Sequence, residues 1–216
     1  MKKLQVYLII VLCVFFISCD KPKNSTKELE EVFTVEEIKD LNILVDFFED
    51  RLRNHGKDLP TAYKKLMLRR ANFEKKDSYL NSFKRQDLEV VFGKIDSNTF
   101  NEIWGKSIMR SNRILDSVIR NSPLESGKYI KFLKRIEPKY PKVKEYLQSI
   151  LFSDADYSGA KYMFVRFDFR KERAPKFHVT ANFRDFYVRL IITISELDYL
   201  DNHYRTKEFM EKLKND

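Results

Sequence analysis

The residues best spaced for chemistry lie between Ser153 and Gly159, in the stretch SDADYSG. Asp154, Asp156 and Ser158 followed by Gly159 match the first half of a calcium loop, where alternate oxygens converge on the ion and glycine permits the turn. The twelfth position of such a loop must supply a bidentate acid, and that position here is Val165, which has no side-chain oxygen. These three residues are therefore weak metal candidates. The pattern reads better as a polar inter-helix turn in which Asp156 or Ser158 caps the next helix. The three histidines are His55 at a helix end, His178 before the last long helix and His203 after it. No two share metal-ligand spacing on one element.

Nucleophilic machinery is sparse. The chain holds no G-x-S-x-G elbow, phosphate-binding glycine loop, HExxH zinc motif or dinucleotide fingerprint. No cofactor is expected. The carboxylate pairs Glu36/Asp40 and Glu208/Glu211 fall on helices patterned as solvated faces. An acid/base enzyme of the muramidase type could be built on one isolated Glu in a helical domain, so a hydrolase acting on glycan or lipid stands as an alternative to a non-enzymatic reading.

Charge is the more informative feature. Residues 20–60 carry 7 basic and 11 acidic side chains, residues 61–150 carry 20 and 10, and residues 151–216 carry 12 and 11. The excess of cations is thus confined to the middle third, where Lys64, Lys65, Arg69, Arg70, Lys76, Lys131, Lys134 and Arg135 are candidates for one basic surface. Lysine-rich solvated helix faces explain such an excess more simply. A basic surface would select an anionic partner.

The elements that must position these residues are mostly helical. Thr34-Val35-Glu36-Glu37 is a capping box, and Ile38, Leu41, Leu44, Val45, Phe48 and Leu52 follow at helical spacing until His55-Gly56. Pro60 can occupy the first turn of a second helix carrying Tyr63, Leu66, Met67 and Phe73. A third follows Asp77 or Ser78, with Leu80, Phe83, Leu88 and Val91. Thr99-Phe100-Asn101-Glu102 is a second capping box. Phe100, Ile103, Trp104, Ile108, Ser111, Leu115 and Val118 behind it predict one long helix, ended by Asn121-Ser122-Pro123. Tyr129 to Ile136 and Val143 to Leu151 predict two shorter helices, the second entered through Pro141.

Phe183, Phe186, Tyr187, Leu190, Ile191, Ile194 and Leu197 form the strongest stripe. Residues 161–170, KYMFVRFDFR, fit either a strand or a helix, and the lack of a glycine hairpin turn after them favours helix. Few turn formers (5 Gly, 6 Pro) and many rings (18 Phe, 11 Tyr) argue for one aromatic core. The expected fold is a single, mainly α, compact helical domain of about six to eight helices, with minor β only around 161–170.

Met1-Lys2-Lys3 is a cationic head, and Leu4 to Ile17 is an apolar run shorter than the roughly 20 residues needed to span a bilayer. This pattern fits a secretory signal better than an uncleaved N-terminal membrane anchor, and either better than a buried N-terminal helix. Its end, Phe16-Ile17-Ser18-Cys19, resembles the lipobox of bacterial lipoproteins, with Phe16 where that pattern favours Leu. The resemblance covers only the first 19 residues. It implies cleavage before Cys19, acylation of Cys19 as with palmitate, and attachment of the domain to a membrane outside the cytoplasm. Cys13 would leave with the signal and Cys19 would carry the lipid, so the mature chain would hold no disulfide.

The organisation expected is a signal over 1–18, a lipidated cysteine with a polar tether over 19–33, and a helical domain over 34–216. FTVEEIKDLNILVDFFEDRL and SNTFNEIW also resemble pieces of uncharacterised exported proteins of Bacteroidetes-type bacteria, which implies the same address. Export argues against nucleic acid as a partner. The expectation is a lipid-anchored cell-envelope protein binding an envelope macromolecule, with an inhibitor or immunity-type protein as a further alternative.

Overall fold

The computed structural model describes residues 21–71, 82–110, 117–152, 165–168 and 176–215. Eight α-helices and two antiparallel strand pairs lie among them: α1 (Lys27–Glu30), α2 (Val35–Leu52), a 3-10 turn (Arg53–His55), α3 (Leu59–Ala71), α4 (Arg85–Phe92), α5 (Ser97–Ile103), β1 (Trp104–Arg110), β2 (Ser117–Pro123), α6 (Lys128–Ile136), α7 (Pro141–Phe152), β3 (Val165–Asp168), β4 (Lys176–Val179) and α8 (Phe186–Asn215). The protein is mainly α, as its periodicity predicts. No helix among the described residues is long and apolar enough to cross a membrane.

One apolar cluster joins α1 through α8, and aromatic rings fill its centre. Phe48 stacks on Phe83 at 5.4 Å, and Tyr63 stacks on Phe183 at 5.6 Å. At the other end of the core Phe132 meets Tyr187 edge-on at 5.4 Å. Offset and edge-on pairs of this kind add to the area term because ring edge and ring face carry opposite partial charge.

The capping box of α2 forms as its residues predict: the Glu37 amide donates to Thr34 Oγ1 at 3.2 Å, and the Thr34 amide donates to Glu37 Oε2 at 2.7 Å. The second box does not. Asp96 caps α5 by accepting from the Asn98 amide at 2.7 Å. Thr99 instead donates its hydroxyl to Asp40 Oδ2 at 2.6 Å, which ties α5 to α2.

The long helix predicted behind Thr99 is a short helix followed by a hairpin. α5 ends at Ile103, and β1 pairs with β2 in the register Trp104↔Pro123 to Arg110↔Ser117. Three physical reasons favour the change. Gly105 costs about 1 kcal/mol in a helix interior relative to alanine. Ile108, the first apolar position of the stripe past Trp104, is exposed, as is Ile119 directly opposite it across the hairpin, so that position carries no core burial. Finally, α8 supplies a tertiary clasp: the Asn121 amide donates to Asn202 Oδ1, the Asn202 side chain donates back to the Asn121 carbonyl, both at 3.1 Å, and the Asn121 side chain donates to Asp201 Oδ2 at 2.7 Å.

Within 161–170, where helix was favoured, Val165–Asp168 form a strand paired with Lys176–Val179. Val165 and Phe167 thus lie two apart on an extended strand, and α3 packs against this pair of strands.

The domain also begins earlier than Thr34. Thr26 caps α1, Leu29 is fully buried and Phe33 nearly so, and both belong to the core. Ahead of them Lys23 pairs with Asp46 at 2.8 Å, and Asn24, at φ 58°, donates to Asn42 Oδ1 at 2.8 Å. Within the polar segment 21–27 the chain is bonded to α2 at Lys23 and Asn24, while Lys21, Lys23 and Lys27 stay exposed. Leu29 and Phe33, placed four residues apart, are the signal that the composition of the preceding residues hid.

Candidate functional site

The candidate basic residues divide into separate groups. Lys131, Lys134 and Arg135 lie at i, i+3 and i+4 of α6 and share an exposed face. With Glu31 and Val32 they line a shallow hollow of about 530 Å³, and Arg135 is ion-paired to Glu31. Lys64 and Lys65 are exposed on α3 and Arg69 is half-buried there. Lys76 lies outside the described residues.

Arg70 is not a surface residue. It continues the buried stripe Tyr63, Leu66, Met67 and is itself 9 % exposed. Its Nε lies 3.2 Å from Glu196 Oε1, and its guanidinium sits 3.5 Å over the Tyr199 ring. Its helical spacing was the available signal, since four residues on from Leu66 must face the same way. Lys128, at the start of α6, is likewise neutralised: its ammonium donates to both Glu37 oxygens, at 2.6 and 2.8 Å.

A second group of functional-looking residues was hidden inside the α8 stripe. Thr193, Ser195, Glu196, Asp198, Asp201 and Asn202 are all buried on that helix. Together with Glu49, which pairs with Arg189 and accepts from the Tyr63 hydroxyl at 3.4 Å, they thread polar contacts through an otherwise apolar centre. The apolar residues around them set the local pattern, so single-sequence periodicity could not flag the charges.

An acidic groove of about 630 Å³ runs between α2 and α4, with Asp46, Asp50 and Asp87 beside Arg51, Phe47 and Val90. This is the place where an acid/base pair would be sought. Burial pushes the Asp87 carboxyl up, but the Lys84 amide and Arg51 outweigh it and hold it below the usual carboxylate range. Asp87 thus serves as an ionised cap and Arg51 partner at 3.2 Å, and Asp46 is bonded to Lys23. A general acid at neutral pH needs the opposite shift.

The third cavity, of about 270 Å³, opens where α6 turns into α7 against the start of α8. Two phenols flank it. Tyr140 donates to Asp185 Oδ2, while Asp185 Oδ1 accepts from the Tyr187 amide at 2.9 Å. The Tyr187 hydroxyl donates to Glu28 Oε2 at 2.6 Å and also contacts Thr26 Oγ1. Burial first, then these carboxylate neighbours, push both phenols well above their ordinary range. The Lys139 ammonium lies 5.6 Å from the Tyr140 ring centre and 5.4 Å from that of Tyr187.

His55 Nε2 is 2.8 Å from Ser82 Oγ, His178 lies on β4, and His203 stands on α8 rather than after it, stacked on Tyr199. No group of His, Cys, Asp and Glu that could hold a metal is found among the described residues. Asp154, Asp156 and Ser158 lie outside them, as do Cys13 and Cys19. A scan of the chain against protein-family models finds no match, and searches of curated proteins and of solved structures find none either.

Proposed function

We propose that the protein is a cell-envelope lipoprotein, anchored through lipid on Cys19, whose helical domain binds an anionic envelope macromolecule without catalysing a reaction. The observation that carries this reading is the junction FISC at the end of a cationic, apolar leader. The placement of the first described residues supports it. Only four residues separate Cys19 from Asn24, where the chain is already bonded to α2, so the five Cα–Cα steps reach at most about 18 Å when extended.

An anchor at Cys19 would therefore hold this end of the domain close to the bilayer. The exposed Lys131, Lys134 and Arg135 face sits beside α1, joined to it through Arg135 and Glu31. A basic face next to a lipid anchor adds electrostatic adhesion to an attachment that one acyl chain alone leaves weak.

Mass spectrometry of the chain from host membranes tests the address. The expected N-terminus is a lipid-modified Cys19, and Cys19→Ala should leave uncleaved precursor; an unmodified Met1 terminus would overturn the proposal. Crosslinking in the same membranes tests the binding face. The triple change Lys131→Glu, Lys134→Glu, Arg135→Glu should lose a partner that the native chain captures, and equal capture would refute the assignment of that face.

A further inference from the structure

We infer that the 270 Å³ cavity between the α6–α7 turn and the start of α8 is a binding site for a small carboxylate with an apolar body. Its inner wall is apolar and firmly packed: Val143 is fully buried, and Ile191 and Val188 are 2 % and 5 % exposed. A concave apolar site with a few polar groups at its edge is the common form of a small-ligand pocket. Its volume equals that of about nine liquid waters, suited to a ligand of about ten heavy atoms.

The polar groups decide the sign of the head. Both Asp185 oxygens are committed, one to the Tyr140 hydroxyl and one to the Tyr187 amide. Glu28 is engaged by the Tyr187 hydroxyl. The phenol protons point to those carboxylates, which spends one acceptor site on each of the three bonded oxygens. Two ammonium groups stand at the mouth beside them. Lys142 is there, bonded to Glu145 at 2.9 Å, and Lys139 is there over the two phenol rings. No carboxylate among the described residues bonds the Lys139 ammonium directly. A ligand ammonium would have to displace Lys139 from the rings, whereas a carboxylate gains Lys139 as a charge-assisted donor.

The site is independent of the lipid anchor and of the α6 basic face, so its test stands apart from theirs. Three probes of one shape separate the possibilities: 3-phenylpropionate, 3-phenylpropanol and 3-phenylpropylammonium, titrated calorimetrically into the full chain in neutral-lipid nanodiscs. The carboxylate is expected to bind at least tenfold more tightly than either other probe. Lys139→Gln, at an exposed position, should weaken the carboxylate at least fivefold and leave the alcohol within twofold. Ala181→Leu, which fills the half-buried rim, should weaken carboxylate and alcohol alike. Absence of saturable carboxylate binding at millimolar concentration, ammonium binding as tight as carboxylate, or carboxylate binding that Lys139→Gln leaves unchanged would each overturn the inference.

Discussion

Replacing Leu29 by alanine decides whether the chain before Thr34 is part of the folded domain. Leu29 has no exposed surface and Phe33 is 3 % exposed, both inside the main core cluster. Removing a fully buried leucine loses its transfer free energy and leaves a cavity, together about 2–5 kcal/mol. Four-residue α1 cannot collapse far into that space, because Thr26 and Glu28 are held by the Tyr187 hydroxyl, so we expect about 3 kcal/mol. For a domain of this size that is a fall in Tm of about 6–12 °C. Urea unfolding followed by far-ultraviolet circular dichroism gives the free energy, with an unchanged m value expected because the whole domain still unfolds together. Lys27→Ala, an exposed neighbour on the same helix, should change stability by less than about 0.5 kcal/mol. A loss below about 1 kcal/mol for Leu29→Ala would show that α1 is undocked in solution and would return residues up to Thr34 to the role of tether.

Three other outcomes are expected. Glu37→Gln keeps an acceptor for the Thr34 amide but removes the charge that the Lys128 ammonium pairs with, which should cost about 1–2 kcal/mol near neutral pH. Burial pushes the Glu37 carboxyl up, but Lys128 and the Thr34 amide outweigh it and hold it below its usual 4.5. Its contribution is therefore complete above that value and lost as pH falls through the lower folded-state value, so the native chain should destabilise more steeply below pH 4.5 than the variant; parallel slopes in urea titrations would contradict this. Asn202→Ala strips a donor and an acceptor from the buried Asn121 backbone, for about 2–4 kcal/mol, and hydrogen exchange should quicken first in β1 and β2. Gly127→Ala should destabilise by about 1–3 kcal/mol, since the added Cβ would collide with the backbone carbonyls of Glu102 and Leu124; native stability in this variant would mean that the loop before α6 yields.

Much of the helical framework was legible because its signals are local. Thr34 and Glu37 cap α2, Pro141 opens α7, Pro138 follows the end of α6, and the stripe from Phe186 to Leu197 lies along α8, each through contacts within a few residues. The errors fall where a distant residue competed with a local rule. Thr99 is a good cap by type, but Asp40, 59 residues away, takes its hydroxyl. Residues past Trp104 keep a helical period, yet Asn202 offers Asn121 two backbone bonds that only an extended strand can use. Arg70 reads as one more surface cation until Glu196, 126 residues on, receives it.

The candidate sites divide in the same way. By itself the sequence determined the leader-like N-terminus, the mainly helical fold and the basic middle, because hydropathy period, caps and charge counts are properties of neighbouring residues. Tertiary structure decided which cations remain on the surface, where the folded domain begins, and that Lys139, Tyr140, Asp185 and Tyr187 surround one cavity. Those depend on which side chains meet across the fold, where burial and partner geometry set the free energy of every charge.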